Sequence, residues 1–210
     1  MTKTDTASVA LEADDMRLSG LLGFLQAAEQ LKDTLRSGST RNGRRESTAE
    51  HSWRLALMIL VFEKELGEVD ILRLLKLSLI HDLGEAISGD IPAPEQNPGD
   101  DRQERERHDF QVLCSSLPSD MAQDLLSLWD EYTQAQTLEA RLAKAFDKLE
   151  TMLQHQLMPP RSVIFHDFNL SYGRSHTDGF PLTRQIRARV DARTREIIAE
   201  LESEQTSHAC

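Results

Sequence analysis

The segment IHDLGEAISGDIP, residues 80–92, sets three carboxylates, Asp82, Glu85 and Asp90, within nine residues directly after His81. It follows ILRLLKLSLI, where seven of ten residues are Ile or Leu. A carboxylate emerging from so apolar a helix is costly unless it is paired or bound to a metal. A helix C-terminus suits His81, which can meet the final carbonyls, but the helix dipole disfavours Asp82 there. Clustered negative charge of this kind calls for a cation. His-Asp occurs twice more. His108-Asp109 lies in DDRQERERHDF, where charges at almost every position mark a solvated helix face. His166-Asp167 stands alone in a stretch that reads as a loop, IFHDFNLSYG. The first pair is therefore the reactive candidate.

One ion needs more ligands than two. His51 stands in the first turns of a neighbouring helix, and Asp147, in AFDKLE, sits mid-helix among the inward-facing Leu142, Phe146 and Leu149. An isolated buried Asp is rare without a partner. Lys148 is next to it, but adjacent helix positions do not face each other. His51, His81, Asp82 and Asp147 together would place two imidazoles and two carboxylates on one ion. Mixed nitrogen and oxygen donors suit Mn, Co, Fe, Ni or Zn better than Ca, with Mg as a further candidate. Arg41, Arg44 and Arg45 lie in the loop ahead of His51, and the planar fork of arginine matches phosphate oxygens, which makes Arg41 and Arg44 substrate-binding candidates.

Helices must position these groups. Residues 1–15 read as a polar tail. From Met16 the apolar spacing of Leu18, Leu21, Leu22 and Leu25 is helical. Ser47 and Glu50 fit a capping box that starts the helix carrying His51. Asp70 caps the next helix, which is apolar on nearly every side and so expected to run buried through the centre, ending at Gly84. A charged helix over 101–117, one after Pro118, a long one over 137–157 and a last one over 183–203 complete the pattern. Residues 161–182, rich in Asn, Tyr, His and Asp, read as irregular. No alternating strand pattern or repeat occurs. The expectation is an all-α fold, a compact multi-helix bundle forming one domain over 16–205.

The bulk numbers agree. At 210 residues the chain can bury a core without staples. A net charge of -11 excludes nonspecific binding to nucleic-acid polymers or anionic membranes. No apolar run suggests a membrane span or a secretory signal, and Cys114 and Cys210 read as reduced thiols, so the expected location is the cytoplasm.

The ordered set His51, His81-Asp82 and Asp147, with the flanking words STAEHSWRLALM, LIHDLGEAISGDIPAP and FDKLETMLQ, resembles the HD-domain metal-dependent phosphohydrolases. It is most similar to the branch containing the bacterial 5′-deoxynucleotidase and its eukaryotic HD-domain-containing relatives, over about residues 18–157. The resemblance implies His51, His81, Asp82 and Asp147 as ligands of one divalent transition metal. It implies Glu85 and Asp90 as carboxylates that support the ligands or take part in catalysis, and a helical bundle that is often a homodimer. The branch carries an Arg-Trp pair before its RN loop; here LRSGSTRN (35–42) has no tryptophan, and Arg36 or Arg41 stands where the arginine is expected. The implied reaction is hydrolysis of a phosphomonoester, a (deoxy)nucleoside 5′-monophosphate, with Glu85 positioning water and Asp90 as acid. Two readings compete: a phosphodiesterase or nucleoside-triphosphate hydrolase of the same superfamily, and a non-catalytic helical module with a vestigial metal site.

Overall fold

The computed structural model describes residues 12–96, 99–159 and 161–208. Most of the expected tail, residues 1–11, lies outside the described residues, as does Cys210. The described chain is a helical bundle: α1 (Asp15–Ala28), α2 (Thr48–Val61), α3 (Ile71–Ile80), α4 (Glu85–Ser88), α5 (Arg102–Leu113), α6 (Ser119–Gln134), α7 (Leu138–Leu157), α8 (Val163–Ser171), α9 (Arg174–Thr177) and α10 (Pro181–His208). Among the described residues, no helix is long and apolar enough to cross a membrane.

The helix starts follow local chemistry. Ser47 and Glu50 close the full capping box of α2, each side chain meeting the other's backbone N–H. Asp14, Asp70, Thr137 and Ser162 cap α1, α3, α7 and α8 by accepting from the N–H three residues on.

The centre of the bundle is α7, not α3. Twelve of the twenty α7 residues are buried, and Ala140, Ala143 and Ala145 let neighbours approach closely. α3 buries Leu74, Leu77 and Ile80 but leaves Leu72 and Leu79 at 64% and 49% exposure, so its apolar outer side faces away from the core. Leu55 and Ile59 of α2, Leu74 and Leu77 of α3, Phe146 and Leu149 of α7 and Val190 of α10 share one core. A second, built on Phe110, Leu113 and Trp129, anchors α1 through Leu21 and Phe24.

The fold is helical as expected, and two segments differ from the sequence reading. Residues Leu35–Ser39 (β1) and Arg45–Ser47 (β2) form an antiparallel hairpin. Its turn runs through Gly43 at φ 83°, and Arg45 donates to the carbonyls of Leu35 and Arg36. Strands this short, written in Ser, Gly and Arg, carry no apolar alternation to read. Residues 161–182 are not irregular, because α8, α9 and the start of α10 occupy them. The last helix holds the end of α8. Arg187 of α10, fully buried, donates to the carbonyls of Asn169, Leu170 and Tyr172 and pairs with Asp191.

His155 joins α7 to α8 through Asn169, whose Oδ1 lies 2.9 Å from its Nδ1. Burial pushes this imidazole down to about 4. The unfolded chain, with an ordinary histidine near 6.5, therefore takes up a proton that the folded protein refuses, and stability falls as pH drops from about 6.5 toward 4. The expected result is a thermal midpoint that declines over this window, and declines less steeply in His155→Gln.

Candidate metal centre

Three elements bring the four expected ligands to one place. The capping box sets the start of α2, so that His51, one position after Glu50, points inward and is fully buried. α3 ends at Ile80, and the turn that follows presents His81 and Asp82. Gly84 does not stop α3. It lets this turn sit on the α5 backbone, since a Cβ there would come within 2.5 Å of the Glu106 carbonyl oxygen. α7 supplies Asp147.

Nε2 of His51 lies 3.2 Å from Oδ1 of Asp147 and 3.8 Å from Oδ2 of Asp82. Nε2 of His81 lies 3.0 Å from Oδ2 of Asp82 and 4.0 Å from Oδ1 of Asp147. Both Nε2 atoms are buried and have no hydrogen-bond partner. Their other ring nitrogens are engaged: Nδ1 of His81 donates to the Ser78 carbonyl at 2.9 Å, and Nδ1 of His51 bonds Glu150. Each imidazole thus turns an unshared nitrogen lone pair toward the two carboxylates. A cation at their focus answers that need, and the donor set fits a divalent transition ion.

Glu150 is the member that sequence reasoning missed. It sits one turn beyond Asp147 on the same face of α7, and that spacing in FDKLE was the available signal. Arg54 holds it from the other side, Nε to Oε1 at 2.6 Å. Burial and Arg36 press the His51 imidazole down, but Glu150 and Asp147 more than offset them and lift it to about 9. An ion takes the place of that proton, so its binding tightens as pH rises through neutrality. Partners that orient a metal-binding imidazole are typically worth ~10–100-fold in metal affinity or activity. Glu150→Gln is expected to weaken the protein for added Mn or Co by that factor in a metal titration, with a parallel fall in any turnover.

Lys148 also corrects the sequence reading. Its stem is long enough for Nζ to reach back to Oδ2 of Asp147 at 2.9 Å, although the two are chain neighbours. Tyr132 donates to the same oxygen at 3.0 Å. Burial opposes ionisation of Asp147, yet Lys148 and the two histidines hold it well below the usual carboxylate range.

The centre opens on a cavity of about 580 Å³. Glu85, Asp90 and Arg36 line it, as do Lys144 and Lys148. Glu85 is buried and accepts from Thr48 at 3.3 Å. Burial, then Asp82 and Asp90, push its carboxyl up to about 10, and burial also raises Asp90. Arg36 reaches in from β1, donating to Asp82 at 3.3 Å and to Thr151 at 3.1 Å. Arg41 and Arg44 do not line the cavity. Arg41 is exposed in the hairpin turn, and Arg44 is taken by the capping glutamate, Nη1 to Oε2 of Glu50 at 3.1 Å. Elsewhere His108 is exposed. His166 is buried, accepting from the Arg161 N–H, and joins no metal cluster among the described residues.

The family model described as "HD domain" matches residues 28–186. The chain belongs to the HD-domain family. It is 37% identical over 136 residues to the Bos taurus protein named 5′-deoxynucleotidase HDDC2, covering 64% of this chain and 65% of that one. The Homo sapiens protein of the same name is 35% identical over 136 residues, covering 64% and 66%. The chain thus spans just under two thirds of the length of these curated relatives. Among solved structures, a protein from Magnetospirillum magnetotacticum MS-1 described as a "predicted metal-dependent phosphohydrolase" superposes with a TM-score of 0.71 at 28% identity, over 88% of this HD-domain chain and 94% of its own. In this HD-domain protein, the His-Asp pair of the opening motif is the one that lies at the converging lone pairs.

Proposed function

We propose that the protein hydrolyses phosphomonoesters, specifically (deoxy)nucleoside 5′-monophosphates, to nucleoside and phosphate. One observation carries this reading. Two unpartnered imidazole nitrogens and two aspartates converge beside a cavity that also presents cations and the buried Glu85 carboxyl. The relatives named 5′-deoxynucleotidase support the same substrate class.

His51, His81, Asp82 and Asp147 would hold one divalent ion: Mn, Co, Fe, Ni or Zn, with Mg admissible. Such an ion makes water acidic and screens phosphate charge. The chain's own residues do the rest. Arg36, Lys144 and Lys148 face the cavity with positive charge and draw the phosphate in against the net charge of -11. Glu85, fixed by Thr48, orients the attacking water. The 5′ oxygen gains a proton as its bond to phosphorus breaks, and Asp90 supplies it. For the homodimer that the family resemblance implies, Trp53, Leu57 and Leu60 offer an exposed apolar side of α2.

The test is turnover on a panel of nucleoside mono-, di- and triphosphates and cyclic dinucleotides, with added Mn, Co or Mg and with chelator. Phosphate release from monophosphates that chelator abolishes upholds the proposal. Preference for triphosphates or cyclic dinucleotides moves the activity elsewhere in the superfamily. No turnover with any of these metals leaves a non-catalytic module.

A further inference from the structure

The cavity has a second character that the metal centre does not use. Of seven Phe, two Trp and two Tyr in the chain, five line this one cavity. Three of them, Phe165, Phe168 and Tyr172, follow one another at helical spacing along α8 and its end. An apolar stripe of this kind ordinarily faces a core. Here the buried side chains of α8 are polar, His166 and Asn169, while Phe165, Phe168 and Tyr172 line the cavity, Tyr172 also touching the core. Phe168 is 36% exposed, and its ring lies 5.5 Å from that of Tyr172 at an interplanar angle of 32°.

We propose that this stripe is the wall on which the substrate's nucleobase stacks, which makes the cavity selective for nucleotides over other phosphomonoesters. The inference rests on the phosphomonoesterase reading for the position of the phosphate. α7 forms the cavity floor from Asp147 through Thr151 to His155, and at 1.5 Å per residue that run spans ~12 Å, the reach of a phosphate, a sugar and a base laid end to end. Lys148 joins the metal centre to the stripe. Its Nζ bonds Asp147 and lies 5.4 Å from the Tyr172 ring centroid. At the far end Phe165 packs on His155 with centroids 4.8 Å apart.

The wall is held in place before anything binds. The Arg187 guanidinium ties down the C-terminal carbonyls of α8. Gly173, at φ 67°, brings the following turn onto Lys148, whose side chain would meet a Cβ at 2.8 Å. Arg161 spans the rim, donating to the Ser37 carbonyl at 2.9 Å, with its guanidinium 5.0 Å from the Phe165 centroid. An aromatic surface of this kind accepts any base, because every base offers a π-face.

Phe168→Leu removes the ring but keeps an apolar side chain at a half-open position, and Phe168→Trp restores a ring. Two measurements test the wall. The first is kcat/KM for a deoxynucleoside 5′-monophosphate relative to 2-deoxyribose 5-phosphate. This preference is expected to fall about tenfold in Phe168→Leu, mainly through KM, and to recover in Phe168→Trp. The second is calorimetric binding of phosphate-free 2′-deoxyadenosine and thymidine, expected to weaken about tenfold in Phe168→Leu. An unchanged preference together with unchanged nucleoside binding overturns the proposal. If the wild type turns over neither phosphate ester, the function proposed above falls. Nucleoside binding lost in Phe168→Leu then still upholds the wall, and no nucleoside binding by the wild type overturns it.

Discussion

Asp147→Asn is expected to lower turnover by roughly 10³-fold or more and to abolish the response of the thermal midpoint to added metal. The side chain keeps its size, so α7 stays packed, and the amide oxygen can still accept from Tyr132. The negative charge is what disappears. Lys148 then stands against the centre with no counter-charge, and the two imidazole nitrogens keep one carboxylate in place of two. A catalytic ion supplies several kcal/mol of charge stabilisation, and each 1.4 kcal/mol is tenfold in rate, which sets the size of the expected loss. The thermal readout is independent of turnover. A ligand that binds only the folded state at 100 times its Kd stabilises by ~2.7 kcal/mol. Added Mn or Co should therefore raise the midpoint of the wild type and leave that of Asp147→Asn unmoved. A variant that retains one equivalent of metal through gel filtration and turns over normally would remove Asp147 from the centre.

The residues that converge were legible for a physical reason. Each is a polar group that its sequence context places where water cannot serve it: His81 and Asp82 at the end of an Ile/Leu run, His51 just inside a capping box, Asp147 between core leucines. The same reasoning misjudged Arg44, because closeness to His51 in sequence says nothing of direction, and the capping glutamate lay within reach of its guanidinium. It misjudged Lys148 by treating Cβ directions as if they bounded a four-carbon stem. It read α3 as central from composition, whereas centrality depends on what lies on every side, and the alanines of α7 gave the truer sign. Residues 161–182 looked like a loop because nothing near them in sequence could take up the carbonyls at the end of a short polar helix. The partner is Arg187, in a helix that the sequence places separately, so only the fold could join them.

Glu85→Gln is expected to lose roughly 10²-fold or more in kcat while making the metal-free protein more stable at neutral pH. Both follow from the same burial. Misplacing a reacting group by about 1 Å can cost ~10²-fold, and the amide presents an NH2 where the carboxyl that orients the attacking water presents an oxygen. In stability the sign reverses. Burial, with Asp82 and Asp90, raises the Glu85 carboxyl from 4.5 up to about 10. Between those values the folded protein holds a proton that the unfolded chain has released. The group's contribution is therefore fully present below about 4.5 and is progressively lost as pH rises through this window. Glutamine has the shape of the protonated acid and does not titrate, so it removes the loss. In chelator, the thermal midpoint of Glu85→Gln should exceed that of the wild type by a margin that widens as pH rises toward 8. A lower midpoint throughout would mean that Glu85 is held ionised and serves the fold. Turnover within a few-fold of wild type would take it out of the chemistry. The combined result, activity down and stability up, is what a carboxyl kept in an unfavourable place for its reactivity must produce.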